Sequence, residues 1–175
     1  DLCATWLATE CACNLMSEVP VSRWVASEPE ITDAKLTAKQ QQCLRHGGFT
    51  ANVQLFDHRL FAISTAEACA MDPQQRLLLE HGYGALHAVA YHRAELLSSP
   101  AGVFVGMEYF DFNQVVFEGP LQSSVFAANS GAMAAGRTSF ALGLHGPCML
   151  IGATCSSGLV MVSIASDALG SKECA

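Results

Sequence analysis

The chain has 175 residues and a formal net charge of −7, with only nine Lys and Arg. That scarcity of cations argues against a surface that tracks nucleic-acid phosphates, and no run approaches the roughly 20 uncharged apolar residues that span a bilayer. The length suits one domain able to bury roughly 70% of its unfolded surface. With 51% hydrophobic and 14% charged residues, against about a quarter charged in ordinary domains, it carries apolar surface meant for a partner.

In chain order, residues 1–50 are irregular in pattern, punctuated by Pro20, Pro29 and Gly47-Gly48. Asp1 to Asn14 carries Leu2, Trp6 and Leu7 without a preceding basic stretch or initiator Met. It reads as an internal start, where a targeting peptide would not be visible. Ile31 to Arg45 suits a polar helix capped by Thr32 or Asp33 and ended by Gly47. Phe49 to Ile63 reads as loop and short extended segments around Phe56, Phe61 and Ile63.

Asp72-Pro73-Gln74-Gln75 is the clearest helix start: Asp72 as N-cap, Pro73 at the first helical position and Gln75 placed for a capping box. The helix is predicted to reach about Ala90, with Leu79, Tyr83, Leu86 and Ala90 on one side. Gly82 and Gly84 each cost about 1 kcal/mol relative to Ala, so the helix depends on packing. Arg76 reads as a structural ion-pair residue, and His81, His87 and His92 need no role. Ala101 to Gly106 is a buried strand, and the Ala, Ser and Gly of Ser123 to Leu144 allow close packing around a site. A second strand, Cys148 to Ile151, precedes an apolar helix carrying Leu159, Val160, Val162, Ile164, Ala165, Ala168 and Leu169. Strand, helix and strand recur, which points to an α/β layered fold.

Cysteines at 3, 11, 13, 43, 69, 148, 155 and 174 form neither a C-x-x-C pair nor an even framework. Disulfide and zinc readings are weak, no metal site is expected, and a reducing intracellular compartment, the cytoplasm, fits best. Cys155 stands apart because it falls between strand and helix, with Ser156 and Ser157 in the turn and Gly158 leaving room for close approach. In the helix's first turn, its thiol would meet unpaired N–H groups and the positive end of the helix dipole, which favour thiolate. The plainer alternative is a buried, inert cysteine, as free cysteines usually are.

Taken together, the segments resemble the N-terminal half of a β-ketoacyl synthase, especially the ketosynthase domains of modular polyketide synthases and animal-type fatty acid synthases. The resemblance rests on Glu18-Val19-Pro20, Arg23-Trp24, Gly47-Gly48-Phe49, Phe56-Asp57, Phe61-Ala62-Ile63-Ser64 and Glu67-Ala68. It continues through Met71-Asp72-Pro73-Gln74-Gln75-Arg76-Leu77-Leu78-Leu79-Glu80, Gly102-Val103-Phe104-Val105-Gly106, Ala135-Gly136-Arg137-Thr138-Ser139-Phe140 and Leu142-Gly143-Leu144-His145-Gly146-Pro147. It ends at Cys155-Ser156-Ser157, where such enzymes carry Thr-Ala-Cys-Ser-Ser.

The resemblance implies a thiolase-like layered α/β fold, present as an incomplete N-terminal half over residues 1–175. It implies a homodimer and a decarboxylative Claisen condensation in which Cys155 accepts an acyl group from the phosphopantetheine of an acyl carrier protein. The acyl-enzyme is then attacked by a carbanion from a malonyl carrier. Cys155 would supply nucleophile and backbone oxyanion donor, and the chain itself would bind no cofactor. Thiolase and chalcone-synthase-like activities fit the residues around Asp72 to Arg76 less well, and retention of Cys155 argues against the decarboxylase-only and chain-length-factor relatives.

Several positions depart from the family pattern. The His-Gly-Thr-Gly-Thr, Lys and Gly-His motifs, which carry the family's catalytic histidines and lysine, do not occur, nor does the opening Gly-Met-Ala-Cys-Arg-Phe-Pro strand. The chain is therefore expected to be an interior fragment, inactive in condensation alone. Gly152 replaces an aspartate, Ala153-Thr154 inverts the usual pair, and His145 takes an Arg or Lys position. Gly82 and Gly84 stand where relatives favour Ala and Glu. An alternative is a catalytically incomplete half-domain that keeps a dimerisation edge at Cys148 to Ile151 or is vestigial.

Overall fold

The computed structural model describes residues 2–23, 36–109, 111–117 and 129–174. The chain divides into two units, Asp1–Asn52 and Val53–Ala175. The first holds α1 (Leu2–Glu10), β1 (Ser17–Glu18), α2 (Ala38–Leu44) and β2 (His46–Gly47), with β1 and β2 antiparallel. The predicted helix over Ile31 to Arg45 is corrected here. Its proposed caps lie outside the described residues, and α2 starts only after Thr37. Thr37 forms a reciprocal capping box with Gln40, a pairing that fixes the start at Ala38.

The second unit contains α3 (Thr65–Ala70), α4 (Pro73–Ala88), α5 (Arg93–Leu96), β3 (Val103–Gly106), α6 (Phe112–Phe117), α7 (Gly131–Leu142), β4 (Cys148–Ile151), a 3-10 turn (Thr154–Ser156) and α8 (Ser157–Gly170). Instead of extended segments, residues 51–62 contain turns closed by bonds such as Ile63 N–H to His58 O at 2.9 Å. They deliver Phe61 to the core with Met71 and Leu79. There Phe61 stacks on Phe56 and meets Tyr83 edge-on.

α4 begins at Pro73 as the sequence indicates, but stops at Ala88 rather than Ala90. Ala90 takes a left-handed φ of +66°, with its N–H on His87 O and the Tyr91 N–H on Leu86 O. These are the two bonds of a Schellman closure, with Ala in the place usually given to Gly. α7 closes in the same way, with Gly143 at φ +70°.

β3 and β4 pair in parallel, Val103 opposite Cys148 through Gly106 opposite Ile151. Val105 and Met107 pack with Ala134 and Ala135 of α7, and Leu78, Val103 and Leu150 join them. Since side chains alternate along a strand, Gly106 faces the other side, where Ser157 opens α8. Helices therefore cover both faces of the pair, the layered α/β arrangement that the sequence pattern implies. A third cluster of Leu96, Leu142 and Leu144 seals the start of β3 through Ala101 and Val103.

The entry to β4 is held backbone against backbone. A Cβ at Gly146 would lie 2.4 Å from the carbonyl oxygens of both Pro100 and Ala101. Gly146→Ala is therefore expected to cost about 3 kcal/mol, the large class of effect that follows forced displacement of packed backbone. A urea midpoint within error of wild type would show that this seam yields freely.

Candidate active site

Cys155 lies where β4 has ended and α8 has not begun, in the 3-10 turn of Thr154–Ser156. The expected place in the first turn of the long helix is thus corrected by a few residues, because Ser156 and not Cys155 is the α8 N-cap. Its side chain is exposed, so the buried-cysteine reading does not hold. Helical bonding in the turn begins with Ser156 N–H on Ala153 O at 3.0 Å. The Cys155 N–H therefore has no partner within the turn and is placed as a donor.

The turn is tightly cross-braced. Thr154 holds φ +48°, a left-handed conformation that costs a β-branched residue on the order of 1–3 kcal/mol. Ala153 O accepts the Thr154 hydroxyl at 2.9 Å and the Ser156 hydroxyl at 2.7 Å. The Ser157 hydroxyl accepts from Ala153 N–H at 2.9 Å and donates to Thr154 O at 2.8 Å. In the sequence Ser156 and Ser157 read only as turn residues; their consecutive hydroxyls were the available sign of this bracing. Gly158 meets nothing within 4 Å where its Cβ would be, which leaves open space beside the thiol's turn. At Gly152 a Cβ would find only ordinary contacts of 3.5 Å and longer, so the missing aspartate is not a steric requirement.

Among the described residues no histidine hydrogen-bonds to Cys155. His145 is exposed, and its backbone N–H donates to Ser99 O at 2.8 Å. His87 and His92 meet ring to ring at 6.0 Å, while His58 donates from Nδ1 to Ile63 O at 2.6 Å and meets Thr65 Oγ1 through Nε2 at 3.4 Å. No cluster of three metal-ligating side chains occurs among the described residues. At the start of β4, partial desolvation of the otherwise exposed Cys148 thiol pushes it above its usual pKa.

A cavity of about 540 Å³ runs beside β3 and does not include Cys155 in its lining. It is bordered by all of Ala101 to Met107 together with side chains of α4 and α7. Residues of both faces of β3 line it, so it follows the strand's edge. Val103 and Met107 donate to Pro147 O and Ile151 O, and the parallel pattern therefore turns the backbone groups of Phe104 and Gly106 into the cavity.

A second polar centre sits at the α4 start. Asp72 N–H donates to Asn129 Oδ1 at 2.9 Å, and Asn129 Nδ2 donates to Ala70 O at 2.8 Å. Asn129 thereby displaces the capping box predicted for Gln75. The Gln75 side chain instead accepts from Arg137 Nε at 3.0 Å, and Asp72 Oδ1 accepts from Gln74 N–H. The ion pair expected of Arg76 belongs to Arg137, which meets Glu67; Arg76 Nε is buried without a hydrogen bond. Asn129 and Arg137 emerge as structural residues that local sequence patterns could not pair across more than fifty residues.

The sequence matches the model of the β-ketoacyl synthase N-terminal domain over residues 4–175. The chain belongs to the β-ketoacyl synthase family. It is 42% identical over 132 residues to polyketide synthase GfsE of Streptomyces halstedii, covering 74% of this chain and 4% of that protein. It is 35% identical over 166 residues to the phthioceranic/hydroxyphthioceranic acid synthase of Mycobacterium tuberculosis, covering 94% of this chain and 8% of that protein. The ketosynthase from module 6 of the bacillaene synthase of Bacillus subtilis 168 superposes with a TM-score of 0.79 at 29% identity, covering 97% of this chain and 27% of that one. The oxazolomycin ketosynthase domain OzmH KS7 of Streptomyces albus gives 0.81 at 27% identity, covering 99% of this chain and 30% of that one. The thiolase-like α/β fold of ketosynthases is therefore the fold of this region. No described helix of this β-ketoacyl synthase region is long and apolar enough to cross a membrane.

Asp72 gives the region a pH signature separate from Cys155. Burial pushes its carboxyl up, opposed by the Gln74 N–H and reinforced by Asp111; its Oδ2 is buried without a partner. Because the folded state binds this proton more tightly than the unfolded state, its stabilisation is full below the ordinary carboxylate range. It is lost as pH rises through the raised folded value. Asp72→Asn, which can still cap α4, is expected to flatten that decline in urea titrations between about pH 4 and pH 8. An unchanged slope would assign the pH dependence to other groups.

Proposed function

We propose that this chain is the nucleophile-bearing N-terminal region of a polyketide-type ketosynthase, with Cys155 as the residue that is acylated. One observation carries the reading: Cys155 is an exposed thiol in the turn between β4 and α8, on the residue whose own N–H lacks a partner in that turn. Cys155 Sγ attacks the carbonyl of an acyl thioester carried on the phosphopantetheine of an acyl carrier protein. A new carbon–sulfur bond forms, the carrier's bond breaks, and the carrier thiol leaves with the proton that Cys155 gave up. The Cys155 N–H faces the oxyanion, where losing one donor typically costs about 100- to 1,000-fold in rate. The acyl-enzyme then supplies the electrophile for decarboxylative condensation with a malonyl carrier. No residue of this chain is assigned to decarboxylation, since the His-Gly-Thr-Gly-Thr and Gly-His motifs do not occur in it.

The polar edge of β3 beside its cavity supports reading residues 1–175 as part of a larger sheet. Incubation with a small acyl thioester of N-acetylcysteamine, followed by peptide-resolved mass spectrometry, is expected to place one acyl group on Cys155 and none on the Cys155→Ala protein. Equal labelling of the variant would remove Cys155 from the chemistry.

A second reading, a noncatalytic half-domain that associates through a sheet edge, is favoured by β4. Among the described residues β4 pairs only with β3, Cys148 and Met149 are exposed, and the alternation turns the backbone groups of Cys148 and Leu150 outward. Under this reading the protein sediments as a dimer at micromolar concentration and Met149→Lys shifts it to monomer. A wild-type protein that stays monomeric counts against it.

A further inference from the structure

We propose that Ser157 is a positioning residue that latches the turn carrying Cys155, through two hydrogen bonds of one hydroxyl. The proposal rests on the reading that Cys155 is acylated, and concerns how that thiol is aimed. Ser157 Oγ accepts from Ala153 N–H at 2.9 Å and donates to Thr154 O at 2.8 Å. It thus ties the backbone on the N-terminal side of Cys155 to the first residue of α8, with Cys155 inside the closed loop.

The backbone gives this latch a task. Thr154, immediately before Cys155, is a β-branched residue at φ +48°, a region such residues avoid unless their surroundings over-determine it. The Thr154–Cys155 peptide plane sets the direction of the Cys155 N–H, and the same residue carries the thiol. Rotation of that plane as Thr154 relaxes would therefore displace nucleophile and oxyanion donor together.

The latch is also seated on the sheet. A Cβ at Gly106 would lie 2.9 Å from Ser157 Cβ and 3.2 Å from its carbonyl carbon. Glycine at the end of β3 thus lets Ser157 sit directly against the strand. Ser156 provides the contrast. Its hydroxyl donates to Ala153 O at 2.7 Å, but its own N–H donates to the same oxygen at 3.0 Å. Removing the Ser156 hydroxyl leaves a bond to Ala153 O in place; removing the Ser157 hydroxyl leaves Thr154 O with its bond from the Ser157 N–H but takes from the Ala153 N–H the acceptor that ties it across Cys155.

Two rates measured on Cys155 separate aiming from exposure. Alkylation by iodoacetamide needs an accessible thiol, whereas loading from the N-acetylcysteamine thioester needs thiol and N–H in one geometry, where misplacement by about 1 Å costs on the order of 100-fold. Ser157→Ala is expected to slow loading by about 10- to 100-fold while alkylation changes by less than about threefold, and Ser156→Ala to load within about threefold of wild type. The nearly isosteric pair Ser157→Thr and Ser157→Val isolates the hydroxyl and serves if the alanine protein does not fold. Loading by the Thr protein should exceed that by the Val protein by about tenfold or more. Equal loading by Thr and Val proteins overturns the latch and leaves Cys155 acylation standing. A wild-type protein that is alkylated at Cys155 but never loaded overturns the acylation reading itself, and the latch with it.

Discussion

The Val53–Ala175 unit depends on a four-residue parallel strand pair having a different partner on each face. Val105 and Met107 go into α7, while Gly106 admits Ser157 of α8. A short strand pair in isolation has little stability of its own. Apolar burial against α7 holds one face, and removal of a side chain at Gly106 lets the other helix approach. The two devices are opposite in kind: burial supplies energy, while the bare backbone supplies position. The turn of Cys155 inherits its place from both, since β4 enters it and α8 leaves it.

A polar hub, buried except at the solvent-exposed Glu67, carries the second constraint. Arg137 of α7 reaches Gln75 of α4 and Glu67 of α3, and Asn129 joins the end of α3 to the start of α4. Such groups contribute modest net energy when paired, but withdrawing one partner leaves a desolvated group behind. The hub therefore fixes which way α3, α4 and α7 meet more than it adds to their stability. Asp72 shows the cost locally: one oxygen caps α4, while the other is buried without a donor.

Local signals in the sequence were enough for α4's start, for β4 and for the strand-to-helix position of Cys155. Proline at the first helical position, an apolar run of strand length and a Cys-Ser-Ser turn each act within a few residues. The misreadings arise where a distant residue intervenes. Asn129 takes the Asp72 N–H that Gln75 was expected to approach, and Arg137 takes the ion pair expected of Arg76. Neither contact has a periodicity to reveal it. The early end of α4 is a local failure of another sort, because Ala90 adopts a left-handed φ that its residue type disfavours. The exposure of Cys155 was likewise open in the sequence, where burial is the ordinary state of a free cysteine.

The Ala153-Thr154 order explains why so many hydroxyls gather before α8. The turn needs one left-handed residue between β4 and Cys155, and the inverted order gives that place to a β-branched side chain. Threonine loses conformational freedom there but brings a hydroxyl, which bonds Ala153 O, and Ser156 adds another to the same atom. Ser157 alone bonds on both sides of the strained residue, to the N–H before it and to its own carbonyl. Strain at Thr154 and bracing by Ser157 are thus two parts of one arrangement. A turn held this way is rigid for a definite reason, and that rigidity lets an exposed thiol keep a fixed direction.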